Sequence, residues 1–294
     1  MRQFPGAVPE EYDGRLAAIV RVIEYMKSEL SRPLPLVVLA RLASFSPFYF
    51  HRLFTQATSM TPARFLAALR MAEARRLLLH SSLTVTAISA QVGYSSVGTF
   101  TTQFRRWVSL PPERFRRLAR QLIGVSVAAL LPVIHGRVLV AGRASRALMH
   151  LDTGDLPGLL LATVTPRDGG RNQWWAAAPR PLPAALPPTV PPGEHQARVL
   201  LLRPDRDATA ALVDGVPDSF LTGDAQLRLP AKTGVDRGVR SAVGTTVTVP
   251  VRPVRVTDPP LLSATPLRWL LGVSQAGWRG RAPMTAEWHV LRTA

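Results

Sequence analysis

The chain is 294 residues long, enough for two domains with separate cores, and its 36 basic against 19 acidic side chains leave a formal charge of +17, which favours a polyanionic partner. With no cysteine, disulfides, thiolate-bound zinc and cysteine nucleophiles are excluded. The early residues Glu10, Glu11 and Asp13 do not follow the basic-then-apolar order of a signal peptide, and the longest apolar run, Gly124 to Ile134, is too short for a bilayer; a cytoplasmic protein without membrane contact is expected.

Residues 1–12, with Pro5, Gly6 and Pro9, read as a flexible arm. Leu16, Ile19, Val20, Ile23 and Leu30 then recur at helical spacing, and Pro33 and Pro35 close that helix before a second one over about 36–43. From here one pattern occurs twice. Phe50, Phe54, Pro62, Arg64 and Phe65 return fifty positions later as Phe100, Phe104, Pro112, Arg114 and Phe115. Leu39, Phe45 and Ser46 return at an offset of forty-nine as Ile88, Tyr94 and Ser95, so the second copy carries one extra residue in its turn.

Each copy reads helix, short turn, helix. Ser46-Pro47 places a cap before a proline whose missing amide costs nothing at the first helical position. Gly93 suits a left-handed residue ending the first helix of the second copy, and Ser95 or Ser96 caps the next. Two helices joined so tightly form a helix-turn-helix, which lays its second helix in the major groove. Between the copies, Thr61-Pro62 opens a long helix reaching about His80. Its expected buried stripe is Phe65, Leu66, Leu69, Ala72 and Leu77, and its polar face shows Arg64, Arg70, Arg75 and Arg76, where phosphate contact by one or two is plausible.

At 100° per residue, the second helix of each copy separates into two faces. Phe50, Leu53 and Phe54 face inward. The outward arc of the first carries Phe48, His51, Arg52 and Thr55 behind the cap Ser46; that of the second carries Gly98, Thr101, Thr102 and Arg105 behind Ser96, Val97 and Thr99. These twelve are the candidate DNA-contacting residues: the guanidinium, imidazole and hydroxyl groups suit base edges or phosphates, and the aromatic suits a thymine methyl. Residues 1–120 hold 17 basic and 7 acidic side chains, leaving 19 and 12 for the rest, so the basic excess is denser on this half.

F-H-R-L-F at Phe50 to Phe54, P-A-R-F-L-x-x-L-R-M-x-x-A-R-x-L-L from Pro62 to Leu78, I-S-A-Q-V-G-Y from Ile88 to Tyr94 and F-R-R-W-x-x-x-P-P-E-R-F from Phe104 to Phe115 resemble the DNA-binding domain of the AraC/XylS family of bacterial transcription regulators. The resemblance implies an all-α, double helix-turn-helix domain over 13–122. Its long linking helix would hold two recognition helices for successive major grooves of an operator. It also implies contact with RNA polymerase when activating. Trp107 and Ser109-Leu110 depart from the family's usual reading of that segment, which touches packing.

Residues 123–132 read as a linker. After residue 120 come 19 of the 27 prolines, and they punctuate short β-rich runs at Val133–Val140, Leu159–Thr165, Gln173–Ala178, Gln196–Leu202, Gln226–Leu229 and Thr245–Val256. In the last, Arg252-Pro253 shifts the alternation as in a bulged edge strand. A mainly-β, sandwich-like domain of antiparallel sheets is expected over 133–294, with a ligand-sensing or assembly role. Gly136 to Val138, Pro191 to Glu194 and Thr257 to Leu262 resemble transthyretin-like or carboxypeptidase-regulatory-like modules. The alternative is an enzyme, or a small-molecule-binding α+β effector domain, tethered to the same DNA-binding domain.

Catalysis leaves little trace. His135, His150, His195 and His289 are scattered, with no H-E-x-x-H, no G-x-S-x-G and no phosphate-cradling glycine loop. No enzyme activity, no cofactor and no metal is expected; double-stranded DNA, RNA polymerase and a small-molecule effector are the expected partners. Asp205 and Asp207 read as a solvated turn. Of Trp174 and Trp175, alternation sends one to each face of a strand.

Overall fold

The computed structural model describes residues 10–131, 147–152, 156–167, 174–179, 184–186, 190–230 and 245–261, with side chains from Gly14 onward except at 147, 174–179 and 184–185. The Val133–Val140 run, the remaining arm, the faces of Trp174 and Trp175, and His135 and His289 lie outside the described residues. The chain divides into two compact units, one of residues up to Arg116 together with the segment from Arg255, the other from Arg117 to Val254.

The first unit is helical: α1 (Glu10–Ser28), α2 (Leu36–Leu42), α3 (Pro47–Thr58), α4 (Pro62–His80), α5 (Val85–Gln91), α6 (Val97–Val108) and the start of α7 (Pro112–Arg120). α1 begins earlier than the arm boundary at residue 12 suggests, and Leu16 is exposed where the periodicity placed it inward; Ala18, Ile19, Val22, Ile23 and Met26 form the buried stripe. Four helices start on a side-chain cap, with Ser46, Thr61, Thr84 and Ser96 each accepting the amide three residues on. Such a cap is worth about 1 kcal/mol.

The repeat is reproduced in the packing. Phe50–Phe54 and Phe54–Phe65 centroids lie 5.5 and 5.4 Å apart in the first copy, and Phe100–Phe104 and Phe104–Phe115 lie 5.6 and 5.7 Å apart in the second. All six rings are buried, in tilted or edge-on contacts that add roughly 0.5–1.5 kcal/mol each to area burial. α4 lies between the copies and is buried nearly all round: Ala68, Met71, Ala74, Leu78 and Leu79 join the expected stripe, whereas Ala72 is only half-buried.

That position redefines the α4 arginines. Arg70 donates through Nε to the Leu30 carbonyl at 3.0 Å and through Nη2 to the Arg32 carbonyl at 2.8 Å. Its guanidinium also lies 5.8 Å from the Tyr94 ring. Burial holds the Arg70 guanidinium below its usual range and pushes the Tyr94 hydroxyl up. Arg75 is 1% exposed and donates to the Leu261 carbonyl. Arg76 forks onto Glu73 at 2.8 and 2.7 Å. Arg64 and Arg76 are both exposed, Arg64 over Trp107 at 5.4 Å. The polar row is therefore divided: Arg70 and Arg75 turn to backbone carbonyls of the same unit, while Arg64 and Arg76 stay at the surface.

The turn into α6 depends on Gly93, whose φ is +83°. A Cβ there would sit 2.5 Å from the Leu30 carbonyl oxygen and 2.9 Å from Arg70 Nη2. Gly93→Ala is expected to lower stability by at least about 2 kcal/mol, combining left-handed strain with displacement of the Arg70 clasp. Thermal unfolding followed at 222 nm measures this; an unchanged midpoint would show that the turn relaxes freely.

Among the described residues the second unit carries eight strands in two sheets. One has the order β4 (Ala184–Ala185), β1 (Ala147–Leu151), β7 (Thr245–Val249); the other runs β3 (Trp174–Pro179), β2 (Leu159–Pro166), β5 (Gly193–Leu202), β6 (Phe220–Leu229), β8 (Arg252–Pro253). One apolar core draws on both, with Met149, Leu151 and Val249 from the smaller sheet, and Leu160, Ala162, Val164, Ala197, Val199, Leu201, Leu227 and Leu229 from the larger, at the two-residue spacing of one strand face. Leu159, Leu161, Leu200 and Leu202 on the opposite face are buried too, which explains the unbroken apolar runs.

Two expectations change. The smaller sheet is mixed, because β1 pairs parallel with β7. The Thr245–Val256 run is not one bulged strand: β7 stops at Val249, and Arg252-Pro253 pairs with β6 in the other sheet, each at a sheet edge where proline is tolerated. Asp207 is likewise no idle turn residue. Its carboxylate accepts from the Gly124 amide at 2.8 Å and the Thr209 amide at 2.7 Å, and from the Thr209 hydroxyl. The backbone of 125–128 is bound to Pro204, Arg206 and Ala208 alongside. No helix among the described residues is long and apolar enough to cross a membrane.

Candidate nucleic-acid interface

The second helix of each helix-turn-helix, α3 and α6, has the same length and the same supports. Ser46 Oγ accepts from the Tyr49 amide at 3.3 Å and Ser96 Oγ from the Thr99 amide at 3.4 Å, which settles the cap of α6 on Ser96. Both helices close on a left-handed serine, Ser59 at φ +58° and Ser109 at φ +66°, fifty residues apart like the rest of the repeat. With Phe50, Phe54, Phe100 and Phe104 buried on the inner side, each outer arc is fixed by packing.

Those arcs present residues at i, i+3, i+4 and i+7, one continuous stripe on a helix. On α3 it consists of Phe48, His51, Arg52 and Thr55. Phe48, His51 and Arg52 are exposed, and Thr55 is half-buried with its hydroxyl donated to the His51 carbonyl at 2.8 Å. On α6 it consists of Gly98, Thr101, Thr102 and Arg105, all exposed except the half-buried Thr101. Ser96, Val97 and Thr99 are exposed at the helix entry. Thus all twelve sequence candidates sit at the entries or outer arcs of these two helices, though Ser46 and Ser96 are engaged as caps and Thr55 spends its donor on its own helix.

The sequence reading missed Tyr49. Its ring lies under the Arg52 guanidinium at 5.7 Å and under that of Arg15 at 6.0 Å. The spacing Tyr49 to Arg52 was the available signal, since residues three apart on a helix are neighbours. A stacked guanidinium keeps its five donors while losing rotamer freedom, so Arg52 is better organised to meet a fixed acceptor pair than a free side chain would be.

Elsewhere the described residues hold no comparable constellation. His195 is buried with Nε2 at 3.0 Å from the Pro191 carbonyl oxygen, a contact within one turn of chain. Among the described residues there is no group of three acidic or histidine side chains placed to hold a metal.

Residues 39–118 match a family model described as a helix-turn-helix domain. The chain is similar to the uncharacterized HTH-type transcriptional regulator YobQ of Bacillus subtilis, at 31% identity over 32% of this chain and 39% of that protein. It is similar to the HTH-type transcriptional regulator GlxA of Rhizobium meliloti, at 33% over 38% and 35% respectively. It is also similar to the HTH-type transcriptional activator RhaS of Pectobacterium carotovorum, at 44% over 24% and 25%. The likeness thus spans well under half the length of each of these relatives.

Proposed function

We propose that the protein is a sequence-specific DNA-binding transcription regulator of the AraC/XylS type that inserts α3 and α6 into successive major grooves; the match of residues 39–118 to a helix-turn-helix domain and the likeness to HTH-type regulators support it. The observation that carries this reading is the pair of exposed stripes, Phe48/His51/Arg52/Thr55 and Gly98/Thr101/Thr102/Arg105, at matching positions on two capped helices. Mixed donors, hydroxyls and one apolar ring are suited to base edges, whereas a non-specific binder needs only charge. The regulators named above support the same reading for this domain.

The DNA-reading domain occupies 13–122 in this proposal, and the region beyond 133 is a sandwich-like module that senses a small effector or mediates assembly. Its support is the single apolar core drawn from both sheets. RNA polymerase is the proposed partner during activation, and catalysis has no part in the mechanism.

Selection of duplexes by the full chain from a random library tests the proposal. The expected result is a bipartite site whose two base-specific blocks lie about 10–10.5 base pairs apart, one turn of the double helix. Recovery of sequences no different from the starting pool would overturn it.

A further inference from the structure

The two stripes are alike in position and unlike in chemistry. At the first position of the α3 stripe stands Phe48, 81% exposed, whereas the phenylalanines at 50, 54, 65, 100, 104 and 115 are at most 1% exposed. Fifty residues on, the same helical position holds Gly98, which offers only backbone. Phe48 is the second residue of α3, one turn ahead of His51 and Arg52, at the end of a recognition helix that approaches the bases. An apolar ring carried beside two cationic or titratable groups needs a surface with one apolar group among acceptors. The major groove has one such group, the 5-methyl of thymine beside its O4 acceptor and the phosphates.

We propose that Phe48 is a specificity-determining residue that packs on a thymine methyl in the half-site read by α3, and that α6, with Gly98 there, makes no such demand, so the operator consists of two dissimilar half-sites. This rests on the DNA-binding reading above.

The test uses the full chain and a duplex recovered by the selection described above. Each thymine in it is replaced in turn by deoxyuridine, which removes the methyl and leaves every hydrogen-bonding group in place. The wild-type chain is expected to lose affinity about fourfold, the worth of one buried methyl, at one or two thymines confined to one block. Phe48→Ala binds the parent duplex more weakly and is indifferent to deoxyuridine at those positions, while Phe48→Leu, which keeps an apolar tip, retains part of the discrimination. Since Phe48 is exposed, circular dichroism of both variants should match the parent. Deoxyuridine penalties that persist unchanged in Phe48→Ala, or their absence at every thymine of a bound duplex, overturn the assignment while leaving the DNA-binding reading intact. Failure to recover any preferred duplex overturns that reading, and this assignment with it.

Discussion

Arg75→Ala should destabilise the helical unit by about 3 kcal/mol, the range of large-to-small changes at fully buried sites. The side chain is 1% exposed in the middle of α4, its guanidinium lies 5.4 Å from the Phe115 ring, and it donates to the carbonyl of Leu261. Truncation removes the stem from the core and the donor from that carbonyl. Segment 255–261 belongs to this unit and is turned by Asp258, whose carboxylate accepts from the Arg255 amide at 2.8 Å and whose own amide donates to the Arg255 carbonyl at 3.0 Å. Arg75→Met keeps the volume and spares the cost of burying a charge, so its loss should be less than half as large. Urea unfolding of the full chain read at 222 nm measures both, with proteolysis between residues 255 and 261 rising in the alanine variant. Equal midpoints for wild type and Arg75→Ala would mean that the guanidinium is not held in the core.

Arg75 also marks where the sequence stops being legible. A 3.6-residue pattern reports which side of a helix is apolar, and for α3 and α6 that suffices, since each has one buried and one open side. α4 is enclosed from several directions, so arginines that look like a solvated face are structural: Arg70 clasps two carbonyls after α1, and Arg75 holds a segment nearly two hundred positions away in the chain. No local pattern encodes a partner that distant. The aromatic triplets were legible because the repeat prints them twice, and the caps of α3, α4 and α6 because serine or threonine stands before each of these three helices.

In the second unit the runs at Leu159 and Gln196 announced their strands, but β1 and β4 were not foreseen. β4 is two residues long, and β1 takes its place through pairing with β7, some hundred positions later. The Thr245–Val256 alternation is real up to Val249, and the chain then changes sheets at Pro250-Val251, a step that alternation cannot register. The tie of Asp207 to the Gly124 amide was unreadable for the same reason, since that partner is remote in sequence. The candidate interface residues fall on outward stripes as read because each stripe lies within a single helix.

Replacing Arg52 or Arg105 by alanine should weaken operator binding by about 1–3 kcal/mol and relax preference at one base pair each, if each guanidinium forks onto a guanine. Arg52 is the stronger case, since stacking on Tyr49 at 5.7 Å organises it. It follows that Tyr49→Ala should reproduce part of the Arg52→Ala loss without touching the base preference associated with α6. Arg105 stands one turn further along its helix, where the second stripe has threonine at the Arg52 position. Arg114, exposed on α7 and off both stripes, is placed for phosphate at most. Arg114→Ala should weaken all sequences equally and reduce the slope of log affinity against log salt by about one. Binding of the four variants to the selected duplex and its single-base changes, across a salt series, separates these effects. Loss of affinity in both Arg52→Ala and Arg105→Ala with base preference unaltered would reassign these two arginines to the phosphate backbone, leaving Phe48, His51 and the α6 threonines to carry the readout.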